Sequence, residues 1–399
     1  MRVLVIGAGP AGTRCATRLA ARVPGAEVTL LGAEAALPYD RVRLSQLLTG
    51  ESDIPGLITH ELAALAAAGV RFRPGTAVAA IDRAARAVRT ARGEVLAYDR
   101  LVLALGSSAL RLPLPGGDLP GVLAYRDLDD VRAMLRLAAP GGRAVVIGGG
   151  LLGLEAAVGL AARGQRVTVV HALDWPMERQ LDRVAGGLLA GRLGGRGIAF
   201  AMPAKTMAIE GTGQVEAVRL DDGRALPADL VVQAVGVRPN AALAAAAGLP
   251  VGRGIVVDDA MRTADPAIYA IGECAEHAGR TIGLVAPALQ QAEVAVQSIA
   301  GEAAARWRPA ADAAALKVSG TAVWSAGDIA GEAEAITLHD DDAEHYRRLF
   351  LREDRLVGCV LYGDTADAGY YLDLIGSGRP VAPIRHSLVF GAALQPVAA

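Results

Sequence analysis

Met1-Arg2-Val3-Leu4-Val5-Ile6 runs straight into Gly7-Ala8-Gly9-Pro10-Ala11-Gly12. An apolar run, a G-x-G-x-x-G turn and a helical pattern over residues 11–22 together make the signature of a dinucleotide-binding βαβ unit. The first glycine makes the tight turn, the second lets backbone approach a pyrophosphate, and the third lets the helix sit close on the strand. The helix N-terminus then points its N–H groups and dipole at the phosphates. Residues 25–31 read as the second strand. Glu34 lies just past its end, where an acid takes ribose hydroxyls.

The same grammar returns 141 residues later, with Gly148 standing where Gly7 stood. Ala144-Val145-Val146-Ile147 leads into Gly148-Gly149-Gly150-Leu151-Leu152-Gly153, then a helix over residues 151–163 and a strand over 166–170. An internal duplication is more specific than either copy. Two dinucleotide loops in one chain point to a flavin in one and a nicotinamide in the other. At the end of the second copy's second strand stands His171, neither the acid that favours NAD nor an Arg that favours NADP. Residues 172–176 offer no Arg or Lys for a 2′-phosphate, which tilts the reading toward NADH and leaves NADPH open. Glu155 is placed in the first turn of the second helix, where a carboxylate suits the helix dipole.

Between and after the two loops the pattern is of short strands. Residues 70–73, 77–82, 87–90 and 94–98 read as strands. Leu101-Val102-Leu103-Ala104-Leu105-Gly106 and Leu230-Val231-Val232-Gln233-Ala234-Val235-Gly236 are buried strands ending in glycine. Ala267-Ile268-Tyr269-Ala270-Ile271-Gly272-Glu273 is another, followed by an Ala-rich helix over residues 288–300. From about Ala311 the character changes to antiparallel strands near 348–351 and 356–361 and a helix near 370–374. Trp324 in that part reads as a packed core residue or as a side chain flanking a cofactor.

Composition narrows the classes further. Hydrophobic residues make up 52% of the 399, yet no uncharged apolar run reaches the ~18 residues of a membrane span. The chain opens on a strand with neither a basic nor an apolar leader, so it reads as cytoplasmic. The formal net charge is −2 and the charges are mixed, with no basic block for nucleic acid. Cys15, Cys274 and Cys359 are far apart, which excludes a redox disulfide from neighbouring cysteines. Three thiols cannot ligate an all-cysteine iron–sulfur cluster. They read as small buried hydrophobes, and no metal site is expected.

With these residues in place, nearly the whole chain resembles the two-dinucleotide FAD/NAD(P)H reductases. Pro38-Tyr39-Asp40-Arg41 and Leu44-Ser45 match a segment of that family whose Arg contacts the FAD pyrophosphate. Ala104-Leu105-Gly106 and Ala234-Val235-Gly236 match its two Ala-Thr-Gly elements, with Leu and Val in place of Thr. Glu273 matches an acid that holds the ribityl chain. Met177-Glu178-Arg179-Gln180-Leu181-Asp182, Gly272-Glu273-Cys274-Ala275-Glu276-His277 and Gly283-Leu284-Val285-Ala286-Pro287-Ala288 are most similar to two groups. One is the flavoprotein module of NAD(P)H nitrite reductase large subunits. The other is the electron-transfer subunits of assimilatory nitrate reductases.

The resemblance implies two Rossmann-like domains, the FAD domain (1–112 and 241–310) interrupted by an NAD(P)H domain (113–240), and a C-terminal α+β domain (311–399). It implies FAD held by Gly7, Gly9, Gly12, Glu34, Arg41 and Glu273, with Ser45, Gly106, Gly236 and Gly272 as further cofactor-binding residues. NADH would be held by Gly148, Gly150 and Gly153, with Glu155 at the nicotinamide as the catalytic candidate. Electrons would leave to a redox protein bearing iron–sulfur or molybdenum centres, a component of nitrate or nitrite reduction. An NADH-dependent rubredoxin or ferredoxin reductase and a non-enzymatic flavin-binding redox sensor are the alternatives. Disulfide reductases of this fold carry a cysteine pair after the first helix; this chain has none there. Neither nucleic acid nor membrane is an expected partner, and the oligomeric state, a homodimer included, is left open.

Overall fold

The computed structural model describes residues 1–308, 313–318 and 320–394. The chain divides into two compact units. The first comprises Met1–Leu44, Ser52–Ala109 and Val237–Pro309; the second comprises Ser45–Glu51, Leu110–Gly236 and Ala310–Ala399.

In the first unit, strand Arg2–Ile6 is apolar on both faces, with Val3 and Val5 fully buried. That is the requirement of a central parallel strand covered on both sides. It pairs in parallel with Glu27–Leu31 from Arg2↔Glu27 to Ile6↔Leu31, and with Arg100–Leu103 from Val3↔Arg100. Val70–Arg73 and Ile268–Ala270 complete a five-stranded sheet as its two edges. Strand order therefore reverses at Arg2–Ile6, and the crevice beyond the carboxyl ends at such a reversal is where open α/β sheets bind ligands. Helix Pro10–Arg22 packs against Val285–Ile299, and Arg14 and Arg18 both pair with Glu293. That second helix begins three residues before the predicted start, with Pro287 in its first turn. A missing N–H costs nothing there, so the proline opens the helix rather than preceding it.

The second unit repeats the plan. Arg143–Ile147 is central, flanked by Arg166–Val170 and Leu230–Gln233, with Ile198–Ala201 and Val122–Ala124 at the edges. Each unit also carries a three-stranded antiparallel meander, over 78–97 in the first and 206–227 in the second. The duplication thus runs beyond the glycine loops that announce it.

The chain's last part forms a five-stranded antiparallel sheet. Its order is Ala313–Val318, Thr321–Gly327, Arg355–Tyr362, His345–Arg352, Glu334–Asp340. Helix Ala368–Ser377 lies on it through Tyr371 and Leu374. Trp324 is 5% exposed and sits in this core with Leu349, Leu361 and Tyr371. The sheet belongs to the same compact unit as the second glycine loop. The predicted start of this part, near Ala311, lies outside the described residues. Among the described residues no helix is long and apolar enough to cross a membrane.

Candidate functional site: two glycine cradles

The first cradle is built by steric exclusion. Gly7 has φ +108°, and a Cβ on it would lie 2.1 Å from the Ala104 carbonyl oxygen. A Cβ on Gly12 would lie 1.8 Å from the Gly7 oxygen. Both positions are closed to any side chain, which locks loop, helix and strand together. Gly9 differs: a Cβ there would meet nothing within 4 Å. It caps helix Pro10–Arg22 with no side-chain hydrogen bond. Open backbone at a helix N-terminus is a ready anion site.

Around this cradle the first unit gathers several predicted residues. Glu34 accepts a hydrogen bond from the Tyr39 hydroxyl on Oε2 (2.7 Å) and pairs with Arg41 through Oε1. The Arg41 guanidinium stacks 4.9 Å from the Tyr39 ring centre. Glu34 and Arg41 are thus one cluster. Gly272 turns at φ +73° past strand Ile268–Ala270, and its N–H donates to buried Gln291 (2.7 Å). Glu273 accepts from the Ser107 hydroxyl (2.7 Å) beside Gly106, and Asn240 donates to the Leu105 carbonyl (2.9 Å). Tyr39, Ser107, Asn240 and Gln291 were given no role by the sequence reading. Gln291 had a signal, a polar residue on the buried face of an alanine-rich helix.

The second cradle repeats the first. A Cβ on Gly148 would lie 2.3 Å from the Ala234 oxygen and one on Gly153 2.0 Å from the Gly148 oxygen; Gly150 is open. Gly236 turns at φ +121°, and its carbonyl accepts from Leu110 N–H (2.9 Å). Glu155 is the fifth residue of helix Leu151–Ala162, so it lies in the second turn rather than the first. The dipole there is weak, and burial dominates: it pushes the carboxyl up to about 7. Tyr125, at the end of strand Val122–Ala124, is 3% exposed. Burial, then the Glu155 charge, raises its phenol, and the Ser45 hydroxyl beside it offsets part of that rise. Ser45 falls in the second compact unit with Glu155 and Tyr125.

All three cysteines are buried and unpaired. Burial pushes Cys274 up to about 11 and also raises Cys15 and Cys359 well above the ordinary thiol value. None presents a thiolate, the reactive form, near neutral pH.

Residues 1–298 match the model of the pyridine nucleotide-disulphide oxidoreductase family. The chain belongs to that family. Residues 313–379 match a second model, the C-terminal domain of rubredoxin NAD+ reductase. Among curated relatives, the assimilatory nitrate reductase electron transfer subunit of Bacillus subtilis is 38% identical over 97% of this chain and 51% of its own length. Nitrite reductase [NAD(P)H] from the same organism is 40% identical over 94% of this chain and 47% of its own. The chain therefore spans about half the length of these relatives. A crystal structure of a ferredoxin reductase from Rhodopseudomonas palustris superposes with a TM-score of 0.89 at 30% identity, covering 96% of both chains. The family implies FAD and NAD(P)H as the pair of dinucleotides, and the open Gly9 and Gly150 backbones fit two pyrophosphates.

Proposed function

We propose that the chain is an FAD-dependent NADH oxidoreductase that passes electrons to a redox-protein acceptor of nitrate or nitrite assimilation. The observation that carries this is the repeated cradle, closed at its first and third glycines and open at its second. The resemblance to nitrate and nitrite reductase components over nearly the whole chain supports the acceptor class, a partner with iron–sulfur or molybdenum centres. When bound, the cofactors supply hydride transfer from nicotinamide to flavin and release of electrons singly.

The chain's own work is placement. Gly9 and its helix N-terminus take the FAD pyrophosphate, with Gly7 and Gly12 holding the loop and Arg41 alongside. Glu34 accepts the ribose hydroxyls. Glu273, aligned by Ser107, meets the ribityl chain where Gly106 and Gly272 turn. Gly148, Gly150, Gly153 and Gly236 form the NADH half, and Glu155 holds or gives up a proton near neutrality beside the nicotinamide. Ser45 supplies a further cofactor contact. This assigns FAD binding to residues 1–112 and 241–310, NADH binding to 113–240 and a separate role to 311–399.

A reductase for rubredoxin or ferredoxin is the second reading, favoured by the match of residues 313–379 to a rubredoxin reductase domain. The test is direct. The purified chain is expected to be yellow, to release FAD rather than FMN, and to reduce a one-electron dye with NADH. A colourless protein that takes up neither dinucleotide overturns the proposal. Relative rates with a nitrite reductase domain and with rubredoxin separate the two readings.

A further inference from the structure

Strand Arg166–Val170 ends without the carboxylate that this position carries in NAD-binding loops; the next residue is His171. The segment that follows doubles back over the second glycine loop. Met177 N–H donates to the Gly149 carbonyl (2.9 Å), and Gly149 N–H donates to His171 Nδ1 (3.1 Å). Both backbone groups of that glycine are therefore engaged by this segment. The imidazole packs directly on it: a Cβ on Gly149 would fall 2.8 Å from His171 Cγ. Because Nδ1 accepts, the neutral ring carries its proton on Nε2. Nε2 lies 3.2 Å from Glu178 Oε2.

Met177 produces this alignment. It is fully buried and holds φ +56°, a left-handed turn that few non-glycine residues adopt. Its side chain goes into the core, and the turn returns Glu178 to the histidine. The Glu178 side chain is 25% exposed.

We infer that Glu178, set beside His171, is the carboxylate that reads the ribose 2′-hydroxyl of the nicotinamide dinucleotide and rejects a 2′-phosphate. The inference rests on the reading above that the second loop takes NAD(P)H. A carboxylate accepts the hydroxyl's proton in a hydrogen bond. Facing a phosphate it meets like charge, and such built-in repulsion is how a site discriminates. Among the described residues, the arginine paired with Glu178 is Arg179, whose Nε is 3.9 Å from Glu178 Oε1. Its side chain is 86% exposed and makes no closer ion pair among the described residues.

The experiment is a calorimetric titration of the full chain with ADP-ribose and with 2′-phospho-ADP-ribose. Neither probe carries a nicotinamide, so the readout does not depend on electron transfer. Wild type is expected to bind ADP-ribose about tenfold or more tightly than its 2′-phosphate. Glu178→Gln is expected to narrow that ratio to roughly threefold or less, chiefly by tightening the phosphorylated probe. A purely structural role would weaken both probes alike and leave the ratio unchanged, and that result overturns the inference. Wild type preferring the 2′-phosphate, with the preference lost in Arg179→Ala, overturns it in favour of the arginine. Failure of wild type to bind either probe removes the nucleotide reading of the second loop, and this assignment with it.

Discussion

Gly9 and Gly12 lie three residues apart and face opposite constraints. A side chain at Gly12 drives into the Gly7 carbonyl at 1.8 Å, a clash within the chain itself. Gly12→Val is therefore expected to cost roughly 3 kcal/mol or more, at or above the usual overpacking range, with loss of soluble protein. At Gly9 nothing lies within 4 Å, so Gly9→Val should fold, at a cost near ~1 kcal/mol for a poorer helix cap. What it loses is the pyrophosphate approach. Thermal unfolding together with flavin absorbance separates the two variants, and a Gly9→Val protein with full flavin content would refute the assignment. Glu155 offers a pH-dependent test. Its carboxyl is pushed up to about 7 by burial, whereas in an unfolded chain it sits near ~4.3. Between those values the folded state binds more protons, so stability is full below the lower one and falls as pH rises through about 7. The loss is on the order of 3 kcal/mol. Glu155→Gln removes this slope, so urea unfolding at pH 5 and pH 8 should show the variant gaining on wild type at the higher pH. Parallel pH profiles would count against a buried, proton-holding Glu155.

Asp182 ties elements together. One carboxylate oxygen caps helix Arg183–Gly194 through Ala185 N–H (2.9 Å). The other accepts from the Tyr346 hydroxyl (2.6 Å) and from Arg348 (3.1 Å), both on strand His345–Arg352. Asp182→Ala strips a cap and two hydrogen bonds at once, and is expected to cost roughly 2–4 kcal/mol, read by urea unfolding. Asp182→Asn keeps the cap and should cost less; equal losses would place all the energy in the charged contacts. The run ending in Asp182 was legible in the sequence only as a resemblance, and its physical work is this junction. The helix it caps was not read at all, because Gly186, Gly187, Gly191 and Gly194 give it poor intrinsic propensity. Packing overrides that: Trp175 lies where a Cβ on Gly186 would be, 2.4 Å from its ring. Strand Glu334–Asp340 escaped for a different reason. It is an edge strand, largely exposed, and carries little apolar alternation. The two glycine loops were legible because local sterics alone dictate them. The pairings Tyr39–Glu34, Ser107–Glu273 and His171–Glu178 were not, since each depends on where a loop returns.

At the scale of the whole molecule, the placement of the thiols decides what the protein can reduce. The family takes its name from disulphide chemistry, yet no two cysteines here are joined or neighbours in sequence. Cys15 is buried in helix Pro10–Arg22, Cys274 in the turn Gly272–Cys274, and Cys359 in the C-terminal sheet. Thiol–disulfide exchange needs a thiolate that can reach a disulfide sulfur. Burial both hides these thiols and holds their protons on at neutral pH. Electrons therefore have no covalent relay to a disulfide acceptor. Coenzyme A disulfide, glutathione disulfide and thioredoxin are expected to be poor substrates with NADH, while a one-electron dye or an iron–sulfur protein is a good one. Replacing Cys15, Cys274 and Cys359 together by Ala should leave the rate with the dye unchanged once the stability cost of three small cavities is allowed for, which unfolding curves measure independently. NADH oxidation followed with each acceptor, in wild type and in the triple variant, makes the comparison. Fast disulfide reduction by wild type that disappears in the triple variant would mean that a buried thiol becomes exposed during turnover. Fast disulfide reduction that survives the triple variant would mean that the flavin edge reduces disulfides without any thiol, and the acceptor argument falls.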